Sequence, residues 1–173
     1  MRERDNQKDL ERHESMRGYF AYELYRQMET NDKIFLITAD LGWGMMDKIK
    51  ADFPDRFLNV GASEQSAIGI AVGLAEMGKV PVVYSITPFL LYRPFETIRN
   101  YIDHERIPVK LIGGGRNDDY HIDGWSHHAF EDRQIMEILG NINAVWPQSK
   151  EEMREVVKAM IETDEPWYVN LRR

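Results

Sequence analysis

Residues 52–75 read Asp52-Phe53-Pro54-Asp55-Arg56-Phe57-Leu58-Asn59-Val60-Gly61-Ala62-Ser63-Glu64-Gln65-Ser66-Ala67-Ile68-Gly69-Ile70-Ala71-Val72-Gly73-Leu74-Ala75. Arg56 to Val60 has the length and side chains of a short strand, Gly61 to Gln65 is a turn, and Glu64 to Met77 is a helix. Glu64 is a carboxylate at the first turn of a helix otherwise built from Ala, Ile, Val, Leu and Gly. Two readings stand side by side. Ser63 or Glu64 satisfies the free N–H groups and dipole of the helix start, or the carboxylate is a functional group. Gly69 and Gly73 lie four apart on one helix face, where glycine is costly. Their use would be close approach of another backbone, such as a helix across a subunit interface.

Outward from this stretch the same alternation continues. Helical stretches run from about Met16 to Met28, Pro94 to His104, Phe130 to Leu139 and Glu151 to Glu162, the last with Met153, Val156, Val157 and Met160 on one face. Strand candidates are Ile34 to Thr38, Lys79 to Ile86, Val109 to Ile112, Asn143 to Trp146 and Trp167 to Leu171. Strands spaced by helices predict an α/β domain of three layers, a mainly parallel sheet flanked by helices. We read residues 16–173 as that one domain and 1–15 as a polar N-terminal arm, either loose or docking only in an assembly.

Ligands of such sheets gather beyond the carboxyl ends of the strands. Four non-periodic segments fall there: Ala39 to Gly44, Gly61 to Glu64, Thr87 to Arg93 and Gly113 to His128. Gly113-Gly114-Gly115 reads weakly as a phosphate cradle, since it matches no nucleotide fingerprint. His121, Asp123, His127 and His128 invite a metal reading, but their spacing fits no zinc motif. A polar binding loop is preferred, with only one of His127 and His128 facing the substrate. Phe89, Leu90 and Tyr92 are either core or a clamp on a flat heteroaromatic ring, with Arg93 placed for an anion. Asp40 is either a turn residue or a site residue.

Composition narrows the classes. The 173 residues carry a formal charge of −7, which argues against nucleic acid as main partner. No Cys is present, so disulfides, thiolate metal sites and cysteine nucleophiles are excluded. The longest nearly apolar run, Val80 to Leu91, is too short and broken to span a bilayer. A cytoplasmic protein is expected.

Taken in order, these segments resemble the pyrimidine-binding domain of transketolases and 1-deoxyxylulose-5-phosphate synthases. The resemblance spans roughly Met16 to Arg172 and is most specific in the Arg56-Phe57 strand, the Gly61-x-x-Glu64 turn and the Gly69-x-x-x-Gly73-x-Ala75 helix. It implies a thiamine-diphosphate-binding fold. It also implies that Glu64 hydrogen-bonds N1′ of the aminopyrimidine, favouring the tautomer whose nitrogen takes the C2 proton of the thiazolium. Asp123 and His127 match residues contacting donor oxygens, Asp40 a position near the thiazolium, and Arg17 one near a substrate phosphate. Counting back from Arg93 puts Leu90 where a ring-stacking Phe is usual, with Phe89 and Tyr92 beside it. Trp43 and Trp125 stand where the family has smaller residues or proline.

The family's diphosphate-binding domain, with its Mg²⁺-holding segment, has no counterpart in these residues. The resemblance therefore implies a separately encoded partner that binds the diphosphate and Mg²⁺, in a heterotetramer acting on a small carbonyl or sugar-phosphate substrate. The expected activity is ketol or acyl transfer. A two-subunit 2-oxoacid decarboxylase or acyloin synthase and a non-catalytic regulatory partner are the alternatives.

Overall fold

The computed structural model describes residues 15–173; of the N-terminal arm read as 1–15, residues 1–14 lie outside the described residues. Its elements in chain order are α1 (Met16–Thr30), β1 (Ile34–Thr38), α2 (Asp47–Asp52), β2 (Phe57–Asn59), α3 (Glu64–Glu76), β3 (Val80–Ile86), α4 (Thr87–Tyr92), α5 (Phe95–Thr97), β4 (Lys110–Gly114), α6 (Asp132–Ile138), β5 (Asn143–Val145), α7 (Lys150–Glu162) and β6 (Trp167–Leu171). Three-residue 3₁₀ turns cover Pro54–Arg56, His121–Asp123 and Trp125–His127, and a wide π-helical stretch, Ile98–His104, continues α5.

Capping chemistry sets the longest helices. Ser15 Oγ accepts from Gly18 N at 3.1 Å to start α1, and Ser149 Oγ accepts from Glu152 N at 3.1 Å to start α7. Past the end of α3, Gly78 takes φ 75°, a left-handed conformation that glycine adopts without strain.

All five strand pairings are parallel, in the order β2-β1-β3-β4-β6-β5. Alternate side chains feed two cores. Leu36, Val82, Tyr84, Ile112, Val169 and Leu171 pack with α1, α2 and α7. Ile37, Val83, Leu111 and Tyr168 pack with α3, α4, α5 and α6. The result is the expected three-layer sandwich. The two edges are strands of only three residues, β2 and β5, which limits unpaired backbone at the margins.

Three local readings change. Gly113 and Gly114 belong to β4 rather than to a phosphate cradle. A Cβ on Gly113 would meet Thr87 Oγ1 at 2.6 Å and one on Gly114 would meet Tyr84 Oη at 2.7 Å, so both are bare to let side chains cross the sheet. Thr87 to Tyr92, read as non-periodic, is a short helix with Pro at its start. Asp47 to Asp52, which carried no helical reading, forms α2.

Candidate active site

The chain leaves β1, turns outward to β2 and returns as β3 on the other side of β1. The loops after β1 and β3 therefore diverge, and a crevice opens between them at the carboxyl edge. Glu64 sits at this edge. It is 2% exposed, and its carboxylate is bonded from β3 and from the end of α4. Oε1 accepts from Ser85 Oγ at 3.1 Å, and Oε2 accepts from Arg93 Nη1 at 2.7 Å. At the helix start Ser63 makes no side-chain cap bond and instead donates its hydroxyl to Ser66 Oγ at 2.9 Å. Of the two uses open to a carboxylate here, capping is not the one the side chain takes.

Arg93 lies where α4 gives way to α5, with 47% of its side chain exposed. Its guanidinium stands 3.9 Å from the centroid of the Phe89 ring, within cation–π range. The anion Arg93 meets is Glu64 itself. Phe89 is half-buried and touches the His127 ring edge-on, with centroids 4.8 Å apart. Leu90 is 0% exposed and packs in the core shared by α3, α4 and α5, so the aromatic surface at the edge is that of Phe89. Tyr92 donates its hydroxyl to Glu131 at 2.9 Å.

From His127 the contacts run on. Its ring tilts against Tyr120 at 6.1 Å, and Tyr120 Oη accepts from Arg17 Nη1 at 2.9 Å. Arg17, at the start of α1, keeps its Nε buried and without a partner among the described residues. It shares a cavity of about 220 Å³ with Ser15, Leu41, Gly42, Trp43, Met45, Tyr84 and Tyr120. Burial pushes the Tyr84 hydroxyl up to about 12, with the Tyr120 hydroxyl acting the same way and Arg17 opposing. Thus Glu64, Arg93, Phe89, His127, Tyr120 and Arg17 form one contiguous series, drawn from segments far apart in sequence.

Asp123 and His127 sit on successive turns about Gly124, whose φ is 85°. Asp123 Oδ2 lies 4.0 Å from Arg173 Nη1, and His127 Nδ1 is 3.0 Å from Ser126 Oγ. His128 turns the other way, edge-on to Trp125 at 5.6 Å and to Phe130 at 5.6 Å. Trp125 therefore packs away from the His127–Phe89 contact, whereas Trp43 lines the Arg17 cavity. Asp40 takes φ 57°, a left-handed conformation that Asp tolerates. Its N–H donates to Asn59 Oδ1 at 2.9 Å, which also accepts from Gly61 N at 3.0 Å. Asn59 thus ties the Asp40 loop to the turn that carries Glu64. Among the described residues no three His, Asp or Glu side chains converge as metal ligands.

Sequence reading missed Ser85, Tyr84, Tyr120 and Asn59. A polar side chain at the end of a buried strand was the available signal for Ser85. It also missed a buried network under the loop. The two N–H groups of Asn170 Nδ2 lie among four acceptors, Thr87 Oγ1, Asp132 Oδ2, Tyr168 Oη and the Gly115 carbonyl, at 3.0–3.1 Å. Arg116 Nε donates to Asn170 Oδ1 at 2.9 Å. These bonds fasten the loop after β4 to β6 and α6.

Known proteins resemble this chain in sequence and in architecture. A subunit of the apulose-4-phosphate transketolase of Actinobacillus succinogenes is 37% identical over 120 residues, 69% of this chain and 39% of that protein. The putative transketolase C-terminal section of Methanocaldococcus jannaschii is 30% identical over 162 residues, 93% of this chain and 51% of that protein. The chain thus spans about half the length, or less, of these curated relatives. A split-gene transketolase, solved as an inactive beta4 tetramer, superposes with TM-score 0.81 at 32% identity, over 92% of this chain and 51% of that one. The transketolase of Campylobacter jejuni, 17% identical with TM-score 0.82 over 91% of this chain and 25% of that one, shares the fold. The family model "Transketolase, pyrimidine binding domain" matches residues 13–173. That match takes in every described residue, and the chain belongs to the transketolase pyrimidine-binding-domain family.

Proposed function

We propose that this chain supplies the aminopyrimidine side of a thiamine-diphosphate site in a two-part transketolase-like enzyme that moves a ketol or acyl unit between carbonyl substrates. The observation that carries the reading is the Glu64 carboxylate, 2% exposed and turned from its own helix start toward the carboxyl edge of the sheet. A buried carboxylate is costly unless it has partners. Ser85 fixes one oxygen, and the other is held by a half-exposed arginine, a partner able to leave. The Phe89 ring beside it offers a face for a flat heterocycle.

When bound, thiamine diphosphate supplies the carbanion chemistry of the transfer. Glu64 holds or gives up a proton at the ring nitrogen N1′. His127 and Asp123 meet hydroxyl or carbonyl oxygens of the donor, an imidazole ring being able to donate and to accept a hydrogen bond. Arg17, with its unpartnered Nε and the Tyr84 and Tyr120 hydroxyls around it, receives the anionic end of a sugar phosphate. Asp40 borders the thiazolium side. The diphosphate and a Mg²⁺ ion belong to a separately encoded partner, in a heterotetramer. Support for a partner is the likeness to a split-gene transketolase and to a protein named as one subunit of a transketolase.

The test is Glu64→Gln in the chain assembled with its diphosphate-binding partner. Gln keeps the shape and loses the exchangeable carboxyl proton. Assembly and cofactor binding should persist while exchange of the cofactor's C2 proton into deuterated solvent slows by at least about tenfold, the scale of one positioned acid–base group. If Glu64 serves only the helix, Gln costs about 1 kcal/mol or less and exchange stays as it was. That result would remove the catalytic assignment and favour a regulatory partner that kept the fold.

A further inference from the structure

Arg93 makes both contacts that an incoming ring would need. Its Nη1 donates to Glu64 Oε2 at 2.7 Å, and its guanidinium covers the Phe89 ring at 3.9 Å. A guanidinium is flat, cationic and rich in donors, so it stacks on an aromatic face while donating to a carboxylate. An aminopyrimidine protonated on the ring offers the same pair of interactions. We propose that Arg93 is a built-in placeholder, filling the Glu64–Phe89 slot in the free chain and vacating it when an aminopyrimidine takes over both contacts. The inference rests on the assignment of Glu64 and Phe89 made above.

The two partners differ in how free they are to move. Glu64 is 2% exposed and also held by Ser85, whereas nearly half of the Arg93 side chain faces solvent. Arg93 alone can leave. It cannot leave unreplaced without cost, because a buried carboxylate stripped of its donor is strongly destabilising. The exchange is therefore coupled: Arg93 goes as the ring's own donor arrives. In the free chain the arrangement keeps the carboxylate paired and the aromatic face covered. A slot closed nine-tenths of the time weakens apparent ring affinity by about tenfold.

The probe is 4-amino-2-methylpyrimidine, titrated into the free chain and followed by NMR on arginine Nε–H signals and by calorimetry. On binding, the Arg93 Nε–H signal, assigned by its loss in Arg93→Lys, should move toward that of a solvent-exposed arginine. Arg93→Met should bind the probe about tenfold more tightly than wild type. Arg93→Lys keeps a cation for Glu64 but lacks a flat face for Phe89, so it should fold normally and bind at least as well as wild type. Weaker binding by both variants, or an Arg93 signal unmoved at saturation, overturns the placeholder. Glu64→Gln separates the two claims. If it abolishes probe binding while the Arg93 variants bind worse, Glu64 keeps its assignment and only the placeholder falls. If it leaves probe affinity unchanged, the assignment of Glu64 to the ring falls too. Absence of binding by every form at millimolar probe also overturns the placeholder, since an opened slot must accept the ring, and C2-proton exchange then judges Glu64 separately.

Discussion

A carboxylate at a helix start has two uses, and the direction of its side chain separates them. Glu64 turns from the N–H groups of α3 to Ser85 and Arg93, and the helix start is left without a side-chain cap. Its residue type and place were readable in the chain; its direction was not, because Ser85 and Arg93 reach it from 21 and 29 residues away. His127 belongs to the same scale. Its ring lies between Phe89 and Tyr120, toward the proposed donor and away from the aromatic cluster that holds His128. His127→Ala in the proposed assembled enzyme should lower kcat/KM for the donor by roughly 10- to 1000-fold, as loss of one proton-transfer or polar contact does. Cofactor affinity should hold. Steady-state kinetics beside a cofactor titration checks this, and a collapse of cofactor affinity with turnover intact would move His127 into the cofactor pocket. The Leu90 and Phe89 alternatives show where spacing fails. A shift of one residue on a short helix exchanges core for surface, and only packing against α3 and β3 decides it.

Among the elements, the strands and long helices were legible because buried strands read as β-branched runs and α1, α3 and α7 carry helical patterns with a serine at the start. Two elements were not. In α4, Pro88 and a continuous apolar run conceal the period, and in α2 six mostly charged residues give none. Gly113 and Gly114 looked like a loop because glycine weakens a strand; their reason is the room taken by Thr87, Tyr168 and Tyr84 across the sheet. Lys110 on β4 is another element-scale feature. It is 1% exposed and donates to the Thr163 and Glu165 carbonyls between α7 and β6. Burial lowers its amine from 10.5 to about 8, against the nearby Asp164 and Glu165. The folded chain therefore gives up this proton before the unfolded chain does. Between about pH 8 and about pH 10.5 the unfolded state binds more protons, so the stability contributed by this group rises with pH across that window and is flat below it. Urea unfolding of wild type and Lys110→Met at about pH 7 and about pH 9.5 checks the sign. The difference should move in favour of wild type at the higher pH; a constant difference would mean that Lys110 is not desolvated in the fold.

On the scale of the whole molecule, one face of α3 has no use among the described residues. Gly69 and Gly73 are exposed, and a Cβ on either would meet nothing within 4 Å. Ile70 beside them is 38% exposed, and Met77, one turn on, is 74% exposed. Each glycine costs the helix about 0.5–1 kcal/mol relative to alanine, and nothing among the described residues offsets that. The proposed assembly does, if another backbone packs against this face. Gly73→Ala should then stabilise the free chain by about 0.5–1 kcal/mol in urea unfolding while weakening association with the partner in sedimentation. A variant that is more stable and assembles normally would show that the face lies outside the interface.

The order of the strands in space also differs from their order in the chain, and that has a consequence for synthesis. β4 pairs with β6, and β5 reaches the sheet only through β6. A nascent chain that has emerged as far as Glu165 holds β5 with no neighbour to receive it and a bare inner margin on β4. It also lacks Asn170, whose bonds to Gly115 and Arg116 fasten the start of the loop that carries Asp123 and His127. Every pairing between the six described strands is parallel, so no hairpin of two of them relieves this state, and long loops must close before the contacts that reward closure form. The carboxyl edge of the sheet is thus completed last, by the sixth of its strands to leave the ribosome. Until then the growing chain exposes apolar surface and an open strand margin, the features that recruit chaperones or seed aggregation.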